Sequence, residues 1–214
     1  GTNAVNGVIN IVTRSASQTV GGLASLSGGP REANAAFRYG TALGSTAHAR
    51  IYAKSSQWQN TRTAAGTQQR DGGQRIQAGF RADWDNEVDA FMLQGNAMQG
   101  QTEQRGALTP IEVAEANLTG QWTHRHADGA NTRVQTYYAN SQLDDAVLYR
   151  PQEGVFDLEA QHGQTWGAHQ WVWGGAYRQA KDNLRSGAVF GFVPQRRTLS
   201  WTSLFAQDVI ALTE

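Results

Sequence analysis

Gln74-Arg75-Ile76-Gln77-Ala78-Gly79-Phe80-Arg81-Ala82-Asp83-Trp84 is the stretch on which the fold turns. Ile76, Ala78, Phe80, Ala82 and Trp84 alternate with Arg75, Gln77, Gly79, Arg81 and Asp83. A period of two marks a strand whose two faces meet different surroundings. The length is as telling as the period. Globular strands usually have about five or six residues, whereas a strand crossing a hydrocarbon slab at about 45° needs about 9–11.

The same pattern recurs on both sides. Ala47, Ala49, Ile51 and Ala53 alternate with His48, Arg50, Tyr52 and Lys54, and Ala35, Phe37, Tyr39 and Leu43 lie against Asn34, Arg38 and Gly40. Further on, Leu118, Gly120 and Trp122 alternate with Asn117, Thr119, Gln121 and Thr123, and Phe156, Leu158 and Ala160 with Asp157, Glu159 and Gln161. Ten strands are expected, near residues 19–28, 33–44, 47–58, 74–84, 88–99, 115–126, 132–143, 154–162, 168–179 and 197–210. The gaps after the second, fourth, sixth and eighth are tight and turn-like: Gly44-Ser45-Thr46, Asp85-Asn86-Glu87, Asp128-Gly129-Ala130-Asn131 and residues 163–167. Those after the third, fifth, seventh and ninth are longer, through residues 59–73, 100–114, 144–153 and 180–196. Tight turns at one end and long loops at the other are how outer-membrane barrels are built. The fold class expected is all-β, an antiparallel transmembrane β-barrel segment of about ten long strands.

Composition narrows the function. Eighteen basic residues cancel eighteen acidic ones, which gives none of the positive surplus that binding nucleic acid requires. Seven Trp, six Tyr and seven Phe argue against a disordered chain. The absence of cysteine excludes disulfides, thiolate metal sites and cysteine nucleophiles. No Gly-x-Ser-x-Gly elbow and no phosphate-binding glycine loop is present, so no enzyme is expected, and no cofactor.

The opening eighteen residues differ from the rest. Gly1-Thr2-Asn3-Ala4-Val5-Asn6-Gly7-Val8-Ile9-Asn10-Ile11-Val12-Thr13-Arg14 closely resembles the segment that closes the plug domain of TonB-dependent outer-membrane receptors, just before the first barrel strand. Gly1, Asn3, Ala4, Asn6, Gly7, Asn10, Thr13 and Arg14 carry that likeness. Weaker echoes are Val172-Trp173-Gly174 with Tyr177-Arg178, and Phe205-Ala206-Gln207-Asp208 with Ile210, which is similar to a recurring strand of those receptors. The resemblance implies that residues 1–18 are the end of a plug with its linker, and residues 19–214 the first part of a plugged barrel of about 22 strands. It further implies a bacterial outer-membrane location among lipid and lipopolysaccharide, a monomer, and a TonB energy-coupling complex in the inner membrane as partner. The cargo would be a scarce nutrient, foremost a ferric siderophore. The chain has no coupling box, no ligand-facing plug loops and no closing strand with a terminal aromatic, and so reads as a fragment.

Individual residues follow from the two-faced pattern. Arg38, Arg50, Lys54, Arg75 and Arg81 are expected on the lumenal wall. There they either contact the plug or an anionic substrate, or pair with lumenal acids such as Asp83, Asp157 and Glu159. Trp58, Trp84, Trp122 and Trp201 are candidates for an aromatic girdle at headgroup level. Trp58, Arg62 and Arg70 in the loop after the third strand, and Arg105 with Glu103 in the loop after the fifth, are the ligand-binding candidates. Guanidinium groups suit an anionic iron chelate through charge-assisted hydrogen bonds. His124-x-His126 has a spacing that suits a metal but no third ligand nearby in sequence. Asn117-Leu118-Thr119 matches a glycosylation sequon in mid-strand. Two rivals stand beside the transporter: a passive porin, which would lack the plug-closing segment, and a soluble all-β binding module, which would have shorter strands around a dry core.

Overall fold

The computed structural model describes residues 12–104 and 109–210. Ten antiparallel strands form one sheet in sequence order: β1 (Gly21–Gly28), β2 (Glu32–Ala42), β3 (Ala47–Trp58), β4 (Gly73–Asp85), β5 (Asp89–Thr102), β6 (Ile111–Arg125), β7 (Asn131–Asp144), β8 (Tyr149–Trp166), β9 (His169–Ser186) and β10 (Arg196–Ile210). The all-β, antiparallel, long-stranded expectation therefore holds. The sheet is open, since no pairing joins β1 to β10 among the described residues. Apart from the strands, the described residues hold a single 3-10 turn at Ser17–Thr19.

Register fixes which side chains share a face. Ala78 lies opposite Ala53 and Ala97, and Phe80 opposite Ile51 and Gly95, so the apolar sets of neighbouring strands coincide. Arg81 lies opposite Arg50 and Gln94, and Gly79 opposite Tyr52 and Asn96, so the polar sets coincide too. A slip of one residue at any of these pairings would mix the two sets.

Burial is inverted relative to a water-soluble sheet. Along β5, Phe91, Leu93 and Ala97 are exposed while Met92, Gln94, Asn96 and Met98 are half-buried. Ile76 is 62% exposed, Leu93 44% and Leu204 86%. Among the described residues the only buried hydrophobic side chains are those of Ala16, Ala130 and Ala180. Among the described residues no second layer covers the apolar face.

Glycine lets large rings lie flat on the sheet. A Cβ on Gly95 would come 2.7 Å from the Phe80 ring on the apolar face, and one on Gly79 would come 2.6 Å from the Tyr52 ring on the polar face. The tight turns use glycine as well, with positive φ at Gly44, Gly129 and Gly167.

The structure departs from the sequence reading mainly in the loops. β8 starts at Tyr149, well before residue 154, and β9 runs on to Ser186 rather than ending near residue 179. Their pairing extends over Pro151↔Leu184, where β7 no longer flanks β8 and a residue without an amide hydrogen is tolerated. The turn at residues 163–167 shrinks to Gly167 and Ala168. The gap after β7 closes to residues 145–148, because Asp145 Oδ1 accepts the amides of Val147 (2.9 Å) and Leu148 (3.0 Å). β10 departs in its faces: Leu199, Trp201 and Phe205 share the face of Arg178 and Gly174, so Trp201 stands on the polar side rather than in an aromatic girdle.

Candidate functional site

Two polar assemblies stand out, one on the polar face and one among the long loops. The first is built where the segment before β1 crosses β2 to β5. Arg81 Nε and Nη2 donate to both carboxylate oxygens of Asp83, two residues along the same face of β4, at 2.8–3.1 Å. The remaining nitrogen, Nη1, reaches Thr13 Oγ1 at 2.7 Å, and that hydroxyl donates to Gln94 Oε1 of β5 at 3.2 Å. Asp83 Oδ2 accepts the amide of Ala16 at 2.6 Å. From β3, Arg50 Nη1 donates to the carbonyl of Arg14 at 2.8 Å and to Thr19 Oγ1 at 3.3 Å.

Charge and shape agree here. Arg81 and Asp83 side chains are only 15% and 20% exposed, and each satisfies the other while holding the crossing segment. Ala16 is fully buried and Thr19 nearly so. Gly40 makes room for them: a Cβ there would sit 2.3 Å from the carbonyl oxygen of Thr19. Deeper along the polar face, Gln77 Nε2 donates to Tyr52 Oη (2.9 Å), Tyr52 Oη donates to Asn96 Oδ1 (2.6 Å), and Asn96 Nδ2 donates to Asn117 Oδ1 (3.1 Å). Asn117, the sequon residue, is thus part of a polar ladder spanning four strands.

The second assembly is a groove of about 670 Å³ at the long-loop end, lined in part by Arg31, Trp58, Asn60, Arg70 and Glu103. Its walls are fixed by the loop over residues 59–72. Asn60 Oδ1 accepts the amides of Asp71 (2.8 Å) and Gly72 (2.6 Å), and the Trp58 indole donates to the Asp71 carbonyl (2.9 Å). Thr61 donates to the Asp71 carboxylate through both its hydroxyl and its amide, which holds that carboxyl below the usual carboxylate range. Arg70 pairs with Glu103 across the loops at 3.5 Å.

The sequence candidates divide accordingly. Trp58 and Arg70 come together at the groove, whereas Arg62 sits at the loop tip, bridged to Gln68 and donating to the Gly66 carbonyl. Arg105 lies outside the described residues, as do Gly1, Asn3, Ala4, Asn6, Gly7 and Asn10 of the motif. Thr13 and Arg14 lie in the crossing segment. Of the wall residues, Arg50 and Arg81 hold that segment, Arg38 is half-buried opposite Tyr52, and Lys54 and Arg75 are exposed nearer the loops. Asp157 pairs with Arg178 at 2.8 Å. The sequence reading did not single out Asn60 or Asp71. Their only sequence signal is an Asn and an Asp-Gly at the two ends of one loop, a turn-forming combination with many uses.

On the apolar face, a row of rings runs along the short-turn end. Trp84 is 5.4 Å from Phe91, which is 6.4 Å from Trp122. His124 and His126 continue the row, and among the described residues no group of three or more His, Asp or Glu side chains is placed to hold a metal ion. No described helix is long and apolar enough to cross a membrane. Compared with protein-family models, with curated proteins and with solved structures, the chain matches none.

Proposed function

We propose that these strands form part of the wall of a transmembrane β-barrel of the TonB-dependent receptor type, which imports a scarce nutrient across a bacterial outer membrane. The observation that carries the reading is the inverted burial: a wide apolar face on which none of the described residues lays a second layer, backed by a half-buried polar face. In water such a face is an aggregation surface; against hydrocarbon it is the required exterior. The apolar stretch runs over Ile76–Trp84 on β4 and residues 114–122 on β6, about the length a tilted strand needs to cross the slab. Beyond it the same face turns polar, with Gln74, Gln101, Glu112 and Gln142. Trp84, Phe91 and Trp122 form the opposite margin, where amphipathic rings belong.

The segment clamped by Arg50, Arg81 and Asp83 supports the receptor over a porin, because it contains Thr13 and Arg14, the end of the motif resembling a plug end, and on this reading runs over the lumenal face. The cargo would be a ferric siderophore or similar anionic chelate, met first by the groove between Trp58 and Arg70. It would be released inward when the energy-coupling complex draws on the plug. No covalent change to the cargo is needed.

The test is uptake of a radiolabelled ferric chelate by cells carrying the full-length protein, with the protein's membrane partition followed in parallel. Recovery in the carbonate-washed outer membrane, and uptake abolished by a protonophore, is the expected result. Uptake insensitive to the protonophore would make the barrel a passive pore, and a freely soluble full-length product would remove the membrane reading.

A further inference from the structure

Three imidazoles stand in the ring row at the short-turn end of the apolar face. His124 and His126 ring centroids are 4.5 Å apart, His126 and His162 5.5 Å, and Trp173 follows His162 at 5.4 Å. Next to this row, towards mid-sheet, lies an open apolar dish of about 500 Å³, walled by Trp84, Phe91 and Trp122, with Leu93 and Leu158 beyond and Gly120 within it. A Cβ on Gly120 would meet nothing closer than Thr136 Cγ2 at 3.4 Å, so the glycine leaves its floor low. That volume lies within the about 300–1,000 Å³ of small-molecule sites.

We propose that dish and histidine row together form a binding site for one anionic glycerophospholipid, an acyl chain lying over Gly120 and the headgroup phosphate on the imidazole N–H groups, with a grip that tightens on acidification. The inference rests on the reading of this face as the lipid-facing one. Such a lipid places a phosphate directly at the end of its acyl chains, which is the order in which the sheet offers charge-capable and apolar surface.

Proton accounting sets the pH dependence. His124 Nδ1 donates to Asp89 Oδ1 at 2.8 Å, and the Trp122 indole donates to the same oxygen at 2.9 Å, so a neutral His124 offers only an acceptor at Nε2. Thr132 Oγ1 lies between His126 Nε2 (2.8 Å) and His162 Nδ1 (2.9 Å), and one hydroxyl hydrogen cannot serve both. With both rings neutral, only one of the pair turns an N–H outward. Protonated, all three imidazoles donate outward and carry positive charge, which a phosphate accepts. The charged groups around the row are Asp89 on β5, Asp128 in the turn before β7, Glu87 in the turn before β5, the Arg125–Asp85 pair across the β4 and β6 ends, and the His169–Asp208 pair on β9 and β10.

The test uses the full-length protein in phosphatidylcholine vesicles, with quenching of tryptophan fluorescence by brominated phosphatidylglycerol compared with brominated phosphatidylcholine. A cation near a membrane surface enriches anionic lipid about fivefold, so a several-fold phosphatidylglycerol preference is expected, larger in acidic than in alkaline buffer. It should vanish in the H124Q/H126Q/H162Q variant, fall partly in H162Q alone, and persist in Q77A on the opposite face. Equal quenching by the two lipids at both pH values, or a preference that survives H162Q and the triple variant, overturns the inference while leaving the face lipid-exposed. Absence of quenching by either lipid overturns it together with the lipid-facing reading.

Discussion

Replacing Leu93 with Arg should cost far more than any water-facing surface could account for. Leu93 is on the apolar face of β5, opposite Ala82 and Gly120 and 44% exposed. It stands two positions above Phe91 in the ring row and six below Gln99, where the face turns polar, so an Arg there is held within the apolar band. On a face bathed in water the change would fall within about 0.5 kcal/mol. Such a change costs about 2–4 kcal/mol at a bilayer midplane and about 0–1 near its interfaces, so at Leu93, between the ring row and the middle of the band, about 1–3 kcal/mol is expected, roughly 5- to 160-fold in the folding equilibrium. Met98→Arg is the matched control on the polar face, opposite Gln77 and Glu115, where a new cation meets an acid. Urea unfolding of the full-length variants in phospholipid vesicles, followed by tryptophan emission, reads both. A Leu93→Arg cost below about 0.5 kcal/mol, or an equal cost for Met98→Arg, would refute the assignment of the faces.

Three further outcomes follow from the polar assemblies. Asp83→Ala removes the acceptor of the Ala16 amide and the partner of Arg81; a loss of about 1–3 kcal/mol is expected, with amide exchange at Ala16 accelerated accordingly. Gly40→Ala should displace the 3-10 turn, since its Cβ would sit 2.3 Å from the Thr19 carbonyl oxygen, and limited proteolysis at residues 13–19 should quicken without loss of the strands. The Asp71 carboxyl titrates below its ordinary value, so its contribution to loop order is complete above the unfolded-state value and disappears only as pH falls through the lower folded one. Exchange protection of the Thr61 amide should therefore outlast the protonation of unperturbed carboxylates on acidification, and Asp71→Asn should abolish that acid resistance.

What could be read from the sequence was set by how strongly each residue feels the two environments. Through the middle of the sheet, misplacing Phe80 or Arg81 by one position would put it on the wrong face, so the alternation is strict and the strands are legible. Where β8 and β9 continue past that zone, Arg150 and Gln152 stand on the otherwise apolar face and Tyr149 and Pro151 on the otherwise polar one, so the alternation reverses and Tyr149 to Gln152 look like loop although the backbone ladder continues. β10 reads as a strand by its alternation, but only its register against β9 shows which of its two faces is which. The convergence of Arg50 and Arg81 on Thr13, Arg14 and Thr19 joins residues up to 68 positions apart. The sequence favoured wall solvation or pairing with acids such as Asp83 over plug or substrate contact for these arginines; Arg81 does pair with Asp83, but the reach of both arginines to the crossing segment carries no local signal. At the groove, an isolated Asn60 carries no pattern until the loop is folded around it.

The way the crossing segment is fastened gives it a mechanical direction. Thr13, Arg14, Ala16 and Thr19 are tied to side chains on β3, β4 and β5, with Thr19 also seated against Gly40 of β2. A tug along the ribbon's own axis stretches these attachments side by side and must rupture them together. The same tug applied perpendicular to the sheet peels them off singly, beginning at Thr13 and ending at the wedge of Ala16 and Thr19. Strength in shear with weakness in peel makes the ribbon a directional fuse, and the angle of pull, more than its size, decides whether it lets go.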